Sequence, residues 1–177
     1  MADPRYAGAL RLDGKRALIT GATKGIGADI ARAFASAGAT LVLSARDTEE
    51  LRAARSALIR EYGAEVDTVA VDLARPEGAA ELAERAAAAF SGLDVLVNNA
   101  GISHPQPVVD TDPVLFDATI AVNLRAPALL ASAVGAAMVK QGIGGAIITV
   151  ASAAALAPLP DHYAYCASKA GLVMATK

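Results

Sequence analysis

Short apolar runs alternate with helical patterns along the whole chain, and this alternation constrains the fold more than any other feature. The runs span residues 16–20, 40–44, 66–71, 95–98 and 146–151. Strands that alternate with helices are typical of a parallel sheet with helices on both faces. The sequence therefore predicts one doubly wound α/β domain over residues 1–177, in which residues 1–12 form a flexible arm.

The segments between these runs carry signals for the start and the end of helices. Thr48 is a good N-cap residue for the second helix, and Gly63 closes that helix. Pro76 opens the third helix, because proline suits the first helical position. We expect a long helix over residues 112–140 and a last helix that begins after Pro160.

Composition and charge exclude several classes of protein. The net charge is −2 and the chain has no basic tract, which argues against nucleic acid as a partner. The start of the chain lacks the apolar core of a secretory signal, and the longest uncharged stretch, 141–160, is interrupted by glycines and prolines. A single cysteine, Cys166, excludes an internal disulfide and fits a reducing compartment. We therefore expect a cytoplasmic protein without a membrane segment or a metal site.

A glycine-rich turn of spacing Gly-x-x-x-Gly-x-Gly joins the first strand to the first helix. Glycines let the backbone approach a pyrophosphate, which then rests on the free N–H groups of the helix N-terminus. The alternative is that the glycines only tighten the packing of the strand against the helix. The position between strand and helix favours nucleotide binding, by Gly21, Thr23, Lys24, Gly25, Ile26 and Gly27.

The end of the second strand indicates which nucleotide binds. NAD sites usually place an acid there to hold the ribose 2′-hydroxyl. This chain has Arg46 instead, with no acid before Asp47, and Lys24 adds a second positive charge. A guanidinium suits a phosphate, so we expect NADP(H) in preference to NAD(H). The alternative is that Arg46 is a solvated loop charge and that Asp47 takes the role of the acid.

Polar residues also follow the third and fourth strands. Asp72, with Leu73 beside it, can hydrogen-bond the adenine amino group, or can serve only as a turn residue before the next helix. The fourth strand ends in Asn98-Asn99-Ala100-Gly101. We expect its amides to connect neighbouring strands, and Asn99, Ala100 and Gly101 to line the cofactor crevice.

Four residues in the second half of the chain are candidates for catalysis. Tyr165 and Lys169 are four apart, so on a helix they share one face. A neighbouring ammonium favours the phenolate form of a tyrosine, which a general acid or base at neutral pH requires. Ser152 follows the fifth strand, where its hydroxyl can stabilise charge on a substrate oxygen or act as an N-cap. Asn123, in mid-helix, can bend the helix or hold a water for a proton path.

Taken together, these residues resemble the classical short-chain dehydrogenase/reductase family. The glycine turn, the Asn-Asn-Ala-Gly motif, Asn123, Ser152 and the Tyr165/Lys169 pair match in order and spacing over nearly the whole chain. The resemblance implies a Rossmann-like sheet of strand order 3-2-1-4-5 and assembly into homodimers or homotetramers. Lys24 and Arg46 match the family's NADP-preferring pattern.

The resemblance also implies roles for the catalytic residues. Tyr165 is the general acid/base, and Lys169 favours its phenolate form and holds the nicotinamide ribose. Ser152 orients the carbonyl or hydroxyl of a small-molecule substrate, and Asn123 supports a water that leads to Lys169.

The family chain normally continues past this helix with another strand, a substrate-covering loop and helix, and a final strand. The sequence stops at Lys177, so we expect a C-terminally truncated member in which the fifth strand has an unpaired edge. By this resemblance, we expect most of the residues that specify the substrate to belong to that further part of the family chain.

The implied activity is hydride transfer between NADP(H) and a carbonyl or secondary alcohol. A 3-oxoacyl-thioester reductase is the first expectation for such a sequence, and a sugar, steroid or small-alcohol dehydrogenase is the alternative. A second alternative, of another class, is a catalytically incompetent nucleotide-binding fragment.

Overall fold

A computed structural model describes residues 11–142 and 144–177, so most of the expected arm lies outside the described residues. Leu12 packs against the core, and its amide donates to the Ala37 carbonyl at 2.9 Å. The elements follow in the order β1 (Arg16–Thr20), α1 (Gly25–Ser36), β2 (Thr40–Ala45), α2 (Thr48–Tyr62), β3 (Val66–Ala70), α3 (Gly78–Ala89), β4 (Val95–Asn98), α4 (Pro113–Ile120), α5 (Ala126–Gln141), β5 (Ala146–Thr149) and α6 (Tyr163–Ala175).

The five strands form one parallel sheet of order β3-β2-β1-β4-β5, which confirms the predicted fold class and strand order. The chain winds outward from β1 to β3 and then returns to place β4 on the other side of β1. Loops after β1 and β4 therefore leave the sheet in different directions, and a crevice opens between them at the carboxyl edge. This is the edge at which the sequence predicts the site.

The core is divided between the two faces of the sheet. Leu18 of β1 belongs to a cluster with residues of α3 and α5, such as Leu82 and Leu130. Its neighbour Ile19 belongs to a second cluster with residues of α1 and α2, such as Leu51. Successive side chains of a strand point to opposite faces, so each central strand is buried on both sides. This explains why the strands appear in the sequence as continuous apolar runs.

An ion pair fixes β1 and β4 at the edge opposite the crevice. The Asp94 carboxylate accepts hydrogen bonds from the Arg16 backbone N–H at 2.9 Å and from Arg16 Nε at 2.8 Å. The guanidinium also donates to the Gln141 side chain at the end of α5. The hydrogen bond from Arg16 holds the pKa of the Asp94 carboxyl below its usual range. The two central strands are thus held in register where they begin.

The helix expected over residues 112–140 is present as a continuous helical run, but it contains a π turn. Asp112 caps the run by accepting from the Val114 N–H, and α4 passes through a π turn at Ala121–Arg125 into α5. A π turn inserts one residue into the helix and is frequent at functional sites. Asn123 lies at its centre.

This helical run is long and apolar enough to cross a membrane by length and composition alone. Leu130, Val134 and Met138 of α5 are buried in the cluster against the sheet. The apolar character of the run is therefore that of a core helix.

Two predicted helix starts are wrong. Pro76 does not open α3: it lies in a turn in which the Gly78 N–H donates to the Arg75 carbonyl at 3.2 Å, and the helix begins at Gly78. Asp47, not Thr48, caps α2: its Oδ1 accepts from the Glu49 N–H at 2.8 Å and from the Glu50 N–H at 3.0 Å, while Thr48 is the first helical residue. Both residues are good caps by type, and the end of β2 at Ala45 brings the cap one residue earlier.

β5 lies at the edge of the sheet and pairs with β4. Among the described residues no strand covers its other side, and Ile147 and Ile148 are 36% and 45% exposed. This agrees with the expected unpaired edge.

Two neighbouring leucines of α5 test the assignment of the core. Leu130 is fully buried in the cluster with α3, whereas Leu129 is 50% exposed. We expect Leu130→Ala to lower the free energy of unfolding by about 2–5 kcal/mol, because a cavity remains. Leu129→Ala, with the same change in helix propensity, should cost less than about 1 kcal/mol. Urea denaturation measures both, and equal losses would contradict the packing described.

Candidate active site

The glycine turn packs tightly on the end of β4. A Cβ on Gly27 would lie 2.2 Å from the Gly21 carbonyl oxygen and 2.5 Å from Asn99 Nδ2, so no side chain fits there. Gly21 has φ of +64°, in the left-handed region that glycine adopts without strain. Gly25, with φ of +53°, has no atom within 4 Å of its missing Cβ and faces open space. The turn is thus packed against the protein at Gly27, and its outer side, at Gly25, is open to a ligand.

Asn99 and Thr20 connect the carboxyl ends of β1 and β4. Asn99 Nδ2 donates to the carbonyls of Thr20 and Gly21, at 2.9 Å and 3.2 Å. The buried Thr20 hydroxyl accepts from the N–H groups of Asn99 and Ala100, each at 3.0 Å. Thr20 is a residue that sequence reasoning missed, although a polar residue at the end of an apolar strand was a usable signal. Asn98, also buried, instead donates to the Pro127 carbonyl at the start of α5.

A cavity of about 910 Å³ opens at this edge, within the usual range for small-molecule and cofactor sites. It runs from the end of β2, past the glycine turn, to the loop after β4, where Ile102 and His104 line it. Ten of the predicted cofactor residues line it: Gly21, Thr23, Lys24, Ile26, Arg46, Asp72, Leu73, Asn99, Ala100 and Gly101. The catalytic candidates Asn123, Ser152, Tyr165 and Lys169 are not part of this lining.

The end of the cavity beside β2 carries both positive and negative charge. Lys24 Nζ lies 2.6 Å from Glu50 Oε1, and the Thr23 hydroxyl donates to Glu50 Oε2 at 3.0 Å. The hydrogen bond from Lys24 lowers the pKa of the Glu50 carboxyl, and the same contact raises the pKa of the Lys24 ammonium. Glu50 was not predicted, although an acid in the first turn of the helix after β2 was a usable signal.

Asp72 and Asp47 both accept backbone hydrogen bonds next to the cavity. Asp72 Oδ1 accepts from the Ala74 N–H at 2.9 Å, which is the turn role that the sequence left open for it. Asp47 Oδ1 is engaged by the cap of α2, so the alternative ribose acid is partly committed to holding a helix. A contact of Asp72 with adenine stays a prediction.

Asn123 joins the loop after β4 to α6, and it is fully buried. Its Oδ1 accepts from the Ile102 N–H, and its Nδ2 donates to the Ile102 carbonyl, both at 2.8 Å. Nδ2 also donates to Ser168 Oγ at 3.1 Å, and Ser168 Oγ donates to the Tyr165 carbonyl at 2.7 Å. Both hydrogens of the amide nitrogen are thus engaged in positioning, and its oxygen accepts one hydrogen bond; a role in holding a water stays a prediction.

Ser168 is a second residue that sequence reasoning missed. It is fully buried between Asn123 and the backbone of Tyr165. The signal was indirect: a buried Asn must find partners, and Ser168 lies within the Tyr165–Lys169 segment.

Lys169 places a buried ammonium between α6 and the cavity. The residue is 4% exposed, and its Nζ donates to the Val150 carbonyl just after β5, at 2.9 Å. Burial lowers the pKa of this ammonium from its ordinary value. A Cβ on Gly101 would lie 3.6 Å from Lys169 Nζ and 3.4 Å from Asn123 Oδ1. Gly101 therefore connects the cavity to the catalytic candidates.

Tyr165 and Ser152 are both partly buried. Lys169 Nζ lies 5.8 Å from the centroid of the Tyr165 ring. The Ser152 hydroxyl accepts from the Ala154 N–H at 3.1 Å, so it caps a short 3₁₀ turn at Ala153–Ala155. A hydroxyl that accepts a hydrogen bond can still donate its own proton. The capping role and the predicted substrate contact are therefore compatible.

Tyr163, two residues before Tyr165, has a packing role. Its hydroxyl donates to Thr111 Oγ1 at 2.5 Å, and its ring stacks on Phe116 of α4 with centroids 5.7 Å apart. It holds the start of α6 against α4.

The residues present fit a dinucleotide. The N-terminus of α1 has no side-chain cap and no acid in its first turn, so its free N–H groups face outward for an anion. Gly25 leaves room in front of them, and the cavity continues on both sides. Within the described residues, no group of three or more His, Cys, Asp and Glu side chains is arranged to hold a metal ion.

Comparison with known proteins decides the family. The family profile described as short chain dehydrogenase matches residues 15–177. The chain belongs to the short-chain dehydrogenase family. It is 41% identical over 167 residues to D-threitol dehydrogenase from Mycolicibacterium smegmatis, a match that covers 94% of this chain and 64% of that relative. The chain thus spans less than two thirds of the length of this short-chain dehydrogenase.

Two solved structures of the family superpose closely. A metagenomic short-chain oxidoreductase in complex with NADP has a TM-score of 0.87 and 44% identity, over 92% of this chain and 73% of that chain. L-sorbose reductase from Gluconobacter frateurii, complexed with NADPH and L-sorbose, has a TM-score of 0.88 and 38% identity, over 93% and 62% of the two chains. At these sequence identities, the two structures are relatives of this chain and do not merely share its fold.

The hydrogen bonds by which Asn123 joins the loop after β4 to α6 can be tested by measuring the free energy of unfolding. We expect Asn123→Ala to lower the free energy of unfolding by about 1–3 kcal/mol, because the Ile102 N–H and carbonyl lose their partner. Thr176→Ala is a suitable control: it removes the hydroxyl of an exposed residue, which donates to the Leu172 carbonyl at the end of α6, and should change stability by about 0.5 kcal/mol or less. Chemical denaturation separates the two, and an Asn123→Ala variant as stable as the parent would contradict these hydrogen bonds.

Proposed function

We propose that this protein transfers a hydride between NADP(H) and a sugar or polyol, interconverting a ketone and a secondary alcohol. The observation that carries the proposal is the meeting of Gly101, Asn123 and Lys169. Gly101 lines a nucleotide-sized cavity, and a Cβ placed on it would lie 3.6 Å from Nζ of Lys169, on the helix that also carries Tyr165. Such a reaction requires a nucleotide-binding crevice that lies next to a paired tyrosine and lysine.

Charge at the adenosine end supports NADP(H) as the cofactor. Lys24 and Arg46 line the cavity there, and Asp47 is engaged as the cap of α2. Two cations, and an acid after β2 that is partly engaged as a helix cap, suit a 2′-phosphate better than a 2′-hydroxyl. The two solved relatives described above are complexes with NADP and NADPH.

The pyrophosphate would lie on the free N–H groups at the start of α1, and the nicotinamide ribose near Lys169. When bound, the nicotinamide supplies the hydride to the carbonyl carbon of the substrate, or accepts it in the reverse direction. Every other part of the reaction falls to side chains of this chain.

Tyr165 is the group that exchanges the proton. As the carbonyl oxygen gains the electron pair of the C=O bond, the Tyr165 hydroxyl donates its proton to it. The Lys169 ammonium stabilises the phenolate that results. This ammonium is buried and lies 5.8 Å from the centroid of the Tyr165 ring. The Ser152 hydroxyl donates to the same substrate oxygen and disperses its developing charge.

The sugar alternative is supported over the 3-oxoacyl-thioester reductase that the sequence first suggested. D-threitol dehydrogenase and L-sorbose reductase are named for a polyol and a ketose, and both cover nearly all of this chain. A substrate of this class carries hydroxyls on both sides of the reacting carbon. We therefore expect a ketose to be reduced with NADPH faster than a 3-oxoacyl thioester.

The decisive variant is Tyr165→Phe, which removes the proton donor and keeps the ring. We expect ketose reduction, followed as NADPH absorbance at 340 nm, to fall by about 10²–10⁴-fold. NADPH affinity should change little, because the adenosine end is untouched. Tyr163→Phe is the matched control: it removes the hydroxyl bound to Thr111 two residues earlier in the same helix, and should retain activity within a few-fold.

Other outcomes discriminate between the alternatives. Unchanged activity in Tyr165→Phe would refute the assignment of the proton donor. Tight NADPH binding with no turnover of any ketone would instead support a nucleotide-binding module. That alternative is motivated by the exposed edge of β5 and by the absence of the catalytic side chains from the cavity lining.

A further inference from the structure

Glu50 occupies the adenosine end of the cavity, and none of the roles above uses it. Its two carboxylate oxygens engage two successive residues of the glycine turn: Oε1 meets Lys24 Nζ at 2.6 Å, and Oε2 accepts from the Thr23 hydroxyl at 3.0 Å. All three residues line the cavity. The Glu50 carboxylate therefore binds Lys24, the lysine that we expect to bind the 2′-phosphate of the cofactor.

The carboxylate is the better fixed of the two charged partners. The Glu50 side chain is 34% exposed, against 76% for Lys24. Glu50 also lies in the first turn of α2, where its backbone N–H is held by Asp47. A ligand that draws on the ammonium would move the exposed lysine and leave the carboxylate in place.

Arg46 shows the contrast. It lines the same end of the cavity, and it takes part in none of the ion pairs formed among the described residues. A phosphate that binds Arg46 breaks no ion pair formed within residues 11–142 and 144–177, whereas a phosphate that binds Lys24 must replace the Lys24–Glu50 pair.

We propose that Glu50 is a specificity-determining residue that competes with the cofactor's 2′-phosphate for Lys24 and so limits the preference for NADP(H) over NAD(H). This rests on the proposed NADP(H) function. Two costs act together: the Lys24–Glu50 pair must open, and the phosphate, with a charge close to −2 at neutral pH, enters beside a carboxylate. A nucleotide without the 2′-phosphate meets neither cost.

The test uses 2′,5′-ADP and 5′-AMP, which differ only in that phosphate, titrated calorimetrically into the full 177-residue chain. We expect Glu50→Gln to bind 2′,5′-ADP about three- to tenfold more tightly, since an exposed ion pair contributes up to about fivefold and the repulsion adds to it. Affinity for 5′-AMP should change less than about twofold.

Glu49→Gln is the matched control. Glu49 precedes Glu50 in the first turn of α2 and pairs with Arg52, away from the cavity lining. The substitution makes the same charge change at the same helix end, so it reproduces any effect of helix electrostatics or net charge. It should leave both affinities unchanged.

A second variant tests the route through Lys24. In a Lys24→Ala background the gain from Glu50→Gln should shrink to about twofold, because no ion pair remains to be released. At about 1 M salt the gain should shrink as well, since the screening length falls to about 3 Å. A gain that is equal in both backgrounds would overturn competition for Lys24.

The remaining outcomes are each decisive. If the parent chain binds 2′,5′-ADP no better than 5′-AMP, the proposed NADP(H) function fails and this inference fails with it. If the parent prefers 2′,5′-ADP but Glu50→Gln changes neither affinity or weakens 2′,5′-ADP, only this inference is refuted. Selective loss of 5′-AMP affinity would also refute it, and would make Glu50 a partner of the ribose hydroxyls.

Discussion

The close contact between the glycine turn and the end of β4 is the constraint on which the rest of the crevice depends. Gly27 lies so close to the Gly21 carbonyl that no Cβ fits there. Asn99 donates hydrogen bonds to the carbonyls of Thr20 and Gly21, at the start of the turn. Thr20 accepts from two amides at the same place. These contacts satisfy the buried backbone where two parallel strands diverge, and they aim the start of α1 at the opening. Without them the cavity would have neither its shape nor its free N–H groups.

A different constraint holds the side chains proposed for catalysis. The π turn at Ala121–Arg125 places the buried Asn123 where its amide reaches both the Ile102 backbone and Ser168. Ser168 in turn holds the backbone of Tyr165, so the proposed proton donor is positioned by a chain of hydrogen bonds that begins in another helix. A mid-helix asparagine is costly by propensity, and the loss is offset because every polar atom of its amide finds a partner. The proposed nucleotide half and the proposed catalytic half of the site therefore meet at Gly101.

Much of the fold and part of the site could be predicted from the sequence, for identifiable reasons. Strands buried on both faces produce continuous apolar runs, and the order of glycine turn, Asn99, Ser152 and Tyr165 fixes the family. Three features could not be predicted. The π turn depends on tertiary partners of Asn123. The cap at Asp47 competes with an equally good Thr48. The Lys24–Glu50 contact joins two residues that are 26 positions apart in the sequence, where single-sequence reasoning sees only two charges. Long-range polar contacts of this kind leave no periodic trace.

A crystal structure of the chain with NADP⁺ bound would test the central claim most directly, because the two halves of the cofactor report on the two halves of the site. We expect the 2′-phosphate to contact Arg46 and Lys24, the pyrophosphate to lie on the N-terminus of α1, and the nicotinamide ribose to contact Lys169. A nucleotide whose ribose is held by Asp47 or Glu50, with its phosphates away from the glycine turn, would contradict the account of this crevice.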